Sequence, residues 1–264
     1  MKKIVFSDVD GTLLNSAHEI TPLTETAIKR LEDNGIPFVI VSARSPSGIY
    51  PILKEYRFSC PIISYSGALI LNEEKKVLFH KGMKKQEAEK IIAFMEDCRF
   101  DLTWCVYSFD EWIVKDKTDP KIISEETAVR AVSAQGSVES INGSEIHKIL
   151  CICNPREILE IEEKLKKAFP MLSIAKSSDI LLEIMENGIT KAAAIQTLCS
   201  LWKIPLSEAV AFGDNYNDAE MLELVGHGIL MGNAPCELKQ KIREQTEDND
   251  HDGIYHALLK RNLI

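Results

Sequence analysis

The chain has 264 residues, with 31 Lys and Arg against 40 Asp and Glu, a formal charge of −9. Its 45% hydrophobic and 27% charged content is that of a globular chain and excludes disorder as the ground state. The acidic balance excludes a general nucleic-acid binder, which would carry a basic face, but not a small anionic ligand held by a few local cations.

Met1-Lys2-Lys3 is followed by only three apolar residues before Ser7-Asp8, far too short a run for a signal-peptide core. No window approaches the roughly 20 apolar residues of a membrane span, so a cytoplasmic protein is expected. Seven cysteines, at 60, 98, 105, 151, 153, 199 and 236, form no C-x-x-C pair and are expected to be buried, reduced thiols.

In chain order, residues 3–7 are a short apolar strand candidate. Thr21-Pro22 supplies a cap and a first-turn proline for a helix with the apolar stripe Leu23, Ala27, Ile28 and Leu31, closed by Asn34-Gly35. Apolar strands follow at 37–41 and 61–65, the pattern of a parallel sheet covered on both faces. From 83 to 183 the texture changes. Strand candidates at 102–107, 111–115, 147–153, 172–175 and 180–184 are more mixed. Amphipathic helices lie between them, such as 86–98, where Ala88, Ile91, Ile92 and Met95 share a face. The first pattern then resumes with helix 190–203, strand 209–212, helix 218–225, strand 228–231 and helix 235–243. The expected fold is α/β. A Rossmann-like, doubly wound parallel sheet is built from 1–82 and 184–264, with a second α/β module inserted at 83–183 and hinges at Gly82 and Gly188. The acidic stretch 247–252 reads as a solvated loop.

The sharpest chemical feature is Asp8-Val9-Asp10-Gly11-Thr12, directly after the first strand. Carboxylates at i and i+2 leave a strand on the same side, and in open α/β sheets the carboxyl ends of strands are where ligands bind. Phe212-Gly213-Asp214-Asn215-Tyr216-Asn217-Asp218 follows a second apolar strand and brings two more acids to the same kind of edge. Acids gathered there repel one another unless a cation or a proton sits between them; four converging acids favour a divalent metal, and all-oxygen ligation suits Mg²⁺. Ser42-Ala43 ends the strand at 37–41 and offers a hydroxyl and a backbone amide to an anion. Lys191 falls in the first turn of a helix, where a cation opposes the helix dipole, so a functional role is indicated.

These motifs, in this order, resemble the haloacid dehalogenase superfamily, and within it the Cof-type sugar-phosphatase-like hydrolases with a large α/β cap. Leu182-Glu183-Ile184, Met231-Gly232-Asn233-Ala234 and Asp252-Gly253 add to the resemblance, which covers essentially the whole chain. Ala43, Ser66-Gly67-Ala68, Met185-Glu186-Asn187 and Ala192 depart from the usual pattern without touching a catalytic carboxylate. The resemblance implies Asp8 as nucleophile and Asp10 as general acid and base. It implies Mg²⁺ held by Asp8, the main-chain carbonyl of Asp10 and Asp214, with Asp218 supporting the metal from behind. It implies a phosphoryl group held by Asp8, Val9, Ser42, Ala43, Lys191 and Asn217. The activity implied is Mg-dependent hydrolysis of a small phosphorylated metabolite, a sugar phosphate or similar, through an aspartyl-phosphate, with no nucleic-acid or membrane partner.

Three other readings compete. A phosphomutase of the same superfamily would pass the phosphoryl group to another hydroxyl. A non-enzymatic phospho-aspartate sensor also uses an acidic cluster and a lysine, but lacks an acid/base at i+2 and is about half this length. A D-x-D glycosyltransferase leaves Asp214, Asp218 and Lys191 unexplained. Neither the substrate nor the oligomeric state follows from the sequence. Aromatic residues of the inserted module, Trp104, Tyr107 and Trp112, are the candidates for substrate selection.

Overall fold

The computed structural model describes residues 2–264. Contacts divide the chain into two compact units. One comprises the chain up to Ala43, Ile52–Phe79 and Thr190–Ile264; the other comprises Arg44–Pro51 and His80–Ile189.

The chain opens with β1 (Ile4–Ser7), α1 (Pro22–Asp33), β2 (Phe38–Val41), α2 (Pro46–Glu55), β3 (Ile62–Ser64), β4 (Leu69–Leu71) and β5 (Val77–His80); all of these fall in the first unit except residues 46–51 of α2 and His80 of β5. Strands β1 to β3 are buried along their whole length, which is why they read as unbroken apolar runs. Helix α1 begins where the Thr21 hydroxyl accepts the Thr24 N–H at 3.3 Å, with Pro22 in its first turn. The strand at 61–65 stops earlier than expected, because Tyr65 and Ser66 take positive φ of 52° and 54°. The chain then doubles back into β4, which pairs antiparallel with β3.

In the second unit lie β6 (Met83–Lys84), α3 (Lys85–Asp97), β7 (Leu102–Ser108), β8 (Glu111–Val114), α4 (Pro120–Val129) and β9 (Ala134–Gln135). They are followed by β10 (Glu145–Ile146), β11 (Lys148–Cys153), α5 (Ile158–Ala168), β12 (Leu172–Lys176) and β13 (Leu181–Glu186). Its main sheet has the order β12-β13-β11-β7-β8-β9. One face of that sheet, including Val106, Ile149, Cys151 and Ile184, packs with Ala88, Ile91 and Met95 of α3 and Ile158, Ile161 and Leu165 of α5. The second unit runs past the expected 83–183 because β13, paired with both β11 and β12, extends to Glu186.

The chain returns to the first unit with α6 (Lys191–Trp202), β14 (Ala209–Gly213), α7 (Ala219–Leu224), β15 (His227–Leu230), α8 (Cys236–Lys241), β16 (Glu244–Gln245) and α9 (Gly253–Lys260). The sheet order is β16-β15-β14-β1-β2-β3-β4-β5, parallel from β16 through β3. Helices α6, α7 and α8 cover one face through Ile195, Leu198, Met221, Leu222 and Leu238. On α1 and α9, which pack together, Ala27, Leu31, Ile254 and Leu258 are buried. The strand order reverses at β1: the chain first winds out through β2 and β3, then returns on the other side at β14. A crevice for ligands is expected at such a switch point.

Five cysteines are buried, Cys98 and Cys236 are exposed, and all seven are free thiols. No helix among the described residues is long and apolar enough to cross a membrane. The stretch 247–252 is a loop with Glu247, Asp250 and His251 exposed, as expected, but it is tied down: Asn249, Asp250 and Asp252 bond Leu14, Ser16 and Thr21, respectively.

Leu198 is fully buried on the helix that carries Lys191. Leu198→Ala should cost about 2–5 kcal/mol, read as a lower urea midpoint with unchanged helical signal in buffer.

Candidate active site

Asp8 follows the last residue of β1. Its N–H donates to the Phe212 carbonyl at 3.0 Å, which ties the exit of β1 to β14. The loop then closes on itself: the Leu13 N–H donates to the Asp8 carbonyl at 3.2 Å and the Leu14 N–H to the Val9 carbonyl at 2.9 Å. Val9 is fully buried, which closes its side chain to a ligand, while Asp10 is exposed. Gly11 has φ +83°, and a Cβ there would lie 2.5 Å from the Asp214 carboxylate. Glycine is therefore required both for the turn and for the approach of the second acidic loop.

Lys191 is the first residue of α6, and the Thr190 hydroxyl caps that helix by accepting the Ala193 N–H at 3.1 Å. The Lys191 side chain is buried and its ammonium donates to Asp8 Oδ1 and Asp218 Oδ1, both at 2.6 Å. The other oxygen of Asp218 accepts the backbone N–H groups of Asp214 and Asn215, each at 3.0 Å. Asp218 thus closes its own loop and pins the lysine. Asp214 is held from the first loop, where the Thr12 hydroxyl donates to its Oδ1 at 2.8 Å.

The charges explain one another. Burial pushes the Asp8 carboxyl up to about 8, with Lys191 opposing and Asp218 adding to the shift. Burial likewise pushes Asp214 up to about 6 against the Thr12 hydrogen bond. Burial works against the Lys191 charge, but Asp8 and Asp218 outweigh it and hold that group above its ordinary range. Oxygens of Asp8, Asp214 and Asp218 lie within 4.8 Å of one another. Three carboxylates face one ammonium, an excess of negative charge that a divalent cation would balance, and an all-oxygen donor set suits a hard cation.

Of the other expected site residues, Ser42 is buried at the end of β2, beside β1, and Ala43 follows it half-buried. Asn217 is exposed on the turn next to Asp218. Sequence reasoning missed two contributors, Thr12 as a donor to Asp214 and Asn233, whose amide donates to the Gly11 carbonyl at 2.8 Å and to Asp214 Oδ2 at 3.3 Å. Among the aromatic candidates of the second unit, Trp104 is a core residue instead. It belongs to the face packed against α3 and α5, and its indole N–H donates to Glu96 at 3.4 Å. Tyr107 and Trp112 stack across β7 and β8 with ring centroids 5.4 Å apart. The Lys148 ammonium lies 5.3 Å from the Tyr107 centroid and 3.5 Å from Glu183.

The parallel α/β sheet thus gathers three acids around a buried lysine at the switch point, where ligands bind in open α/β folds. The chain matches the haloacid dehalogenase-like hydrolase family over residues 5–258 and belongs to it. A relative from Haemophilus influenzae, which carries a provisional phosphatase name, is 39% identical over 254 residues, 96% of each chain. The 5-amino-6-(5-phospho-D-ribitylamino)uracil phosphatase of Bacillus subtilis is 28% identical over 283 residues, 97% of this chain and 96% of its own. A solved haloacid dehalogenase-like hydrolase from Bacteroides thetaiotaomicron superposes with a TM-score of 0.90 at 26% identity, covering 99% of this chain and 100% of its own.

With no cation bound, Asp8 and Asp214 keep protons that an unfolded chain has already lost. That stabilisation is complete below the ordinary carboxylate range and is lost as pH rises through about 6 and then about 8. In EDTA the thermal midpoint should therefore fall across this window. Excess divalent cation should restore it mainly at the alkaline end, and Asp8→Asn should flatten the upper part of the fall.

Proposed function

We propose that the protein is a Mg-dependent phosphatase that hydrolyses a small phosphorylated metabolite, a sugar phosphate or similar, through an aspartyl-phosphate on Asp8. The observation that carries this reading is the buried Lys191 ammonium shared by Asp8 and Asp218, with Asp214 within ligand reach.

The residues suit the roles. A carboxylate approaching a phosphate dianion meets repulsion, which Lys191 offsets from the side of the nucleophile. Asp8, the Asp10 main-chain carbonyl and Asp214 would hold Mg²⁺, which when bound neutralises charge on the nucleophile and the transferring group. Asp218 has one oxygen on Lys191 and the other on two backbone amides, which suits support of the site better than direct ligation. Asp10, two residues on and exposed, would protonate the departing alcohol and later take a proton from water. The phosphoryl group would be held by Lys191, by Ser42 and Asn217, and by the backbone at Val9 and Ala43.

Selection among phosphorylated metabolites is assigned to the inserted unit acting as a cap; Tyr107 and Trp112 are both buried and would contribute by packing behind its surface, not by direct contact with a ligand. The relatives' phosphatase names support hydrolysis. Free thiols without disulfides fit a reducing compartment, in keeping with a cytoplasmic protein.

Purified protein incubated with a panel of sugar phosphates and an activated aryl phosphate should release inorganic phosphate. EDTA should stop the reaction and Mg²⁺ should restart it. Asp8→Asn should lower kcat by at least about a thousandfold, as removal of a nucleophile does. Appearance of a positional isomer without free phosphate would mean a mutase, and full activity in Asp8→Asn would remove the nucleophile assignment.

A further inference from the structure

Asn233 holds neither the cation nor the phosphoryl group in the proposed function, yet it sits where three loops meet. Both donors of its amide are used: one on the Gly11 carbonyl at 2.8 Å, the other on Asp214 Oδ2 at 3.3 Å. Its own Oδ1 accepts the Asn249 N–H at 3.4 Å, which fixes the direction in which the amide points. The Asn249 side chain in turn donates to the Leu14 carbonyl at 2.9 Å, at the far end of the first acidic loop.

The loop carrying Asn233 is itself clamped. The Gly232 N–H donates to the Glu247 carbonyl at 3.1 Å, and the Lys239 ammonium donates to the Gly232 carbonyl. A Cβ at Gly232 would fall 2.7 Å from the Asp248 nitrogen, so glycine there lets the strand of chain at 247–249 pass directly against it. Asp250 continues the strap by accepting from the Ser16 N–H and hydroxyl, at 2.8 and 2.6 Å.

The consequence falls on Asp214. Thr12 holds its Oδ1 and Asn233 its Oδ2, so the carboxylate is gripped at both oxygens by neutral donors. Such a grip fixes the carboxylate plane without cancelling its charge. Mg²⁺ needs near-ideal octahedral geometry, whereas Ca²⁺ accepts irregular sites. Partners that orient a ligand in this way typically account for 10- to 100-fold in metal affinity.

We propose that Asn233 is a positioning residue for Asp214, and that the strap at 247–250, by holding Asn233, sets the site's preference for a small six-coordinate divalent cation. This rests on the proposed reading of Asp214 as a metal ligand.

The test is direct binding of Mg²⁺ and Ca²⁺ to the full chain after chelator treatment, by calorimetry, for wild type and Asn233→Ala. We expect the Mg²⁺ dissociation constant to rise about 10- to 100-fold. The Ca²⁺ constant should rise much less, so that the preference between the two ions shrinks. A merely structural role would lower the thermal midpoint and leave that preference unchanged. Asn249→Ala, which cuts the strap from Leu14 and leaves Asn233 in place, should shift the Mg²⁺ constant in the same direction by a smaller factor, and it serves if Asn233→Ala does not fold. Unchanged Mg²⁺ and Ca²⁺ constants in a folded variant would overturn the proposal while leaving the metal site standing. Failure of the wild type to bind either ion would overturn the metal reading of Asp214, and this inference with it.

Discussion

The structure turns on one buried ammonium. Lys191 has almost no contact with solvent, and its charge is tolerable there only because Asp8 and Asp218 each accept from it at 2.6 Å. Removing one partner of such a group leaves a buried charge uncompensated, at a cost of about 3–5 kcal/mol. The lysine therefore fixes the relation of three segments far apart in sequence: the exit of β1, the start of α6 and the turn before α7. The same contact leaves the site short of positive charge, because Asp214 has no cation of its own within this set and Asp8 shares one. Under the proposed function, a divalent cation would balance that deficit.

The parallel sheet makes that arrangement possible. Strands β1 and β14 are neighbours in register, Ser7 opposite Phe212, so the loops that follow them emerge side by side. Their spacing is set by backbone hydrogen bonding and not by the acids, which would otherwise drive them apart. Small residues at the crossing allow the final approach. Gly11 admits the Asp214 carboxylate, and at Gly213 a Cβ would meet the Cβ of Asp218 at 2.5 Å. Hydrophobic burial under α6, α7 and α8 supplies the stability against which this electrostatic strain is held.

Much of this was legible in the sequence because it is local. The acids at 8, 10, 214 and 218 and the lysine at 191 each follow a recognisable strand end or helix start, and strand parity and capping rules place them. The cross-links between loops were not legible. Thr12 and Asp214 are 202 residues apart, and Asn233 and Gly11 are 222 apart, so nothing local marks them as partners. Residues 247–252 look like any acidic loop until the chain brings them against Leu14 and Ser16. Short elements were lost for a different reason. Strands such as β4 and β16, of three and two residues, are too brief for a period-2 pattern to register. For Trp104, alternation along β7 separates it from Tyr107, but only the packing of α3 and α5 shows which of the two faces is the apolar core.

The most direct measurement of the central claim is a rapid acid quench of enzyme in excess over a good substrate, followed by peptide mass mapping. A phosphoryl group should appear on the peptide containing Asp8 within the first turnover, at Asp8 itself, and should decay as inorganic phosphate is released. Phosphate released at full rate with no phosphoryl group ever found on Asp8, or with the group found on another residue, would contradict the account.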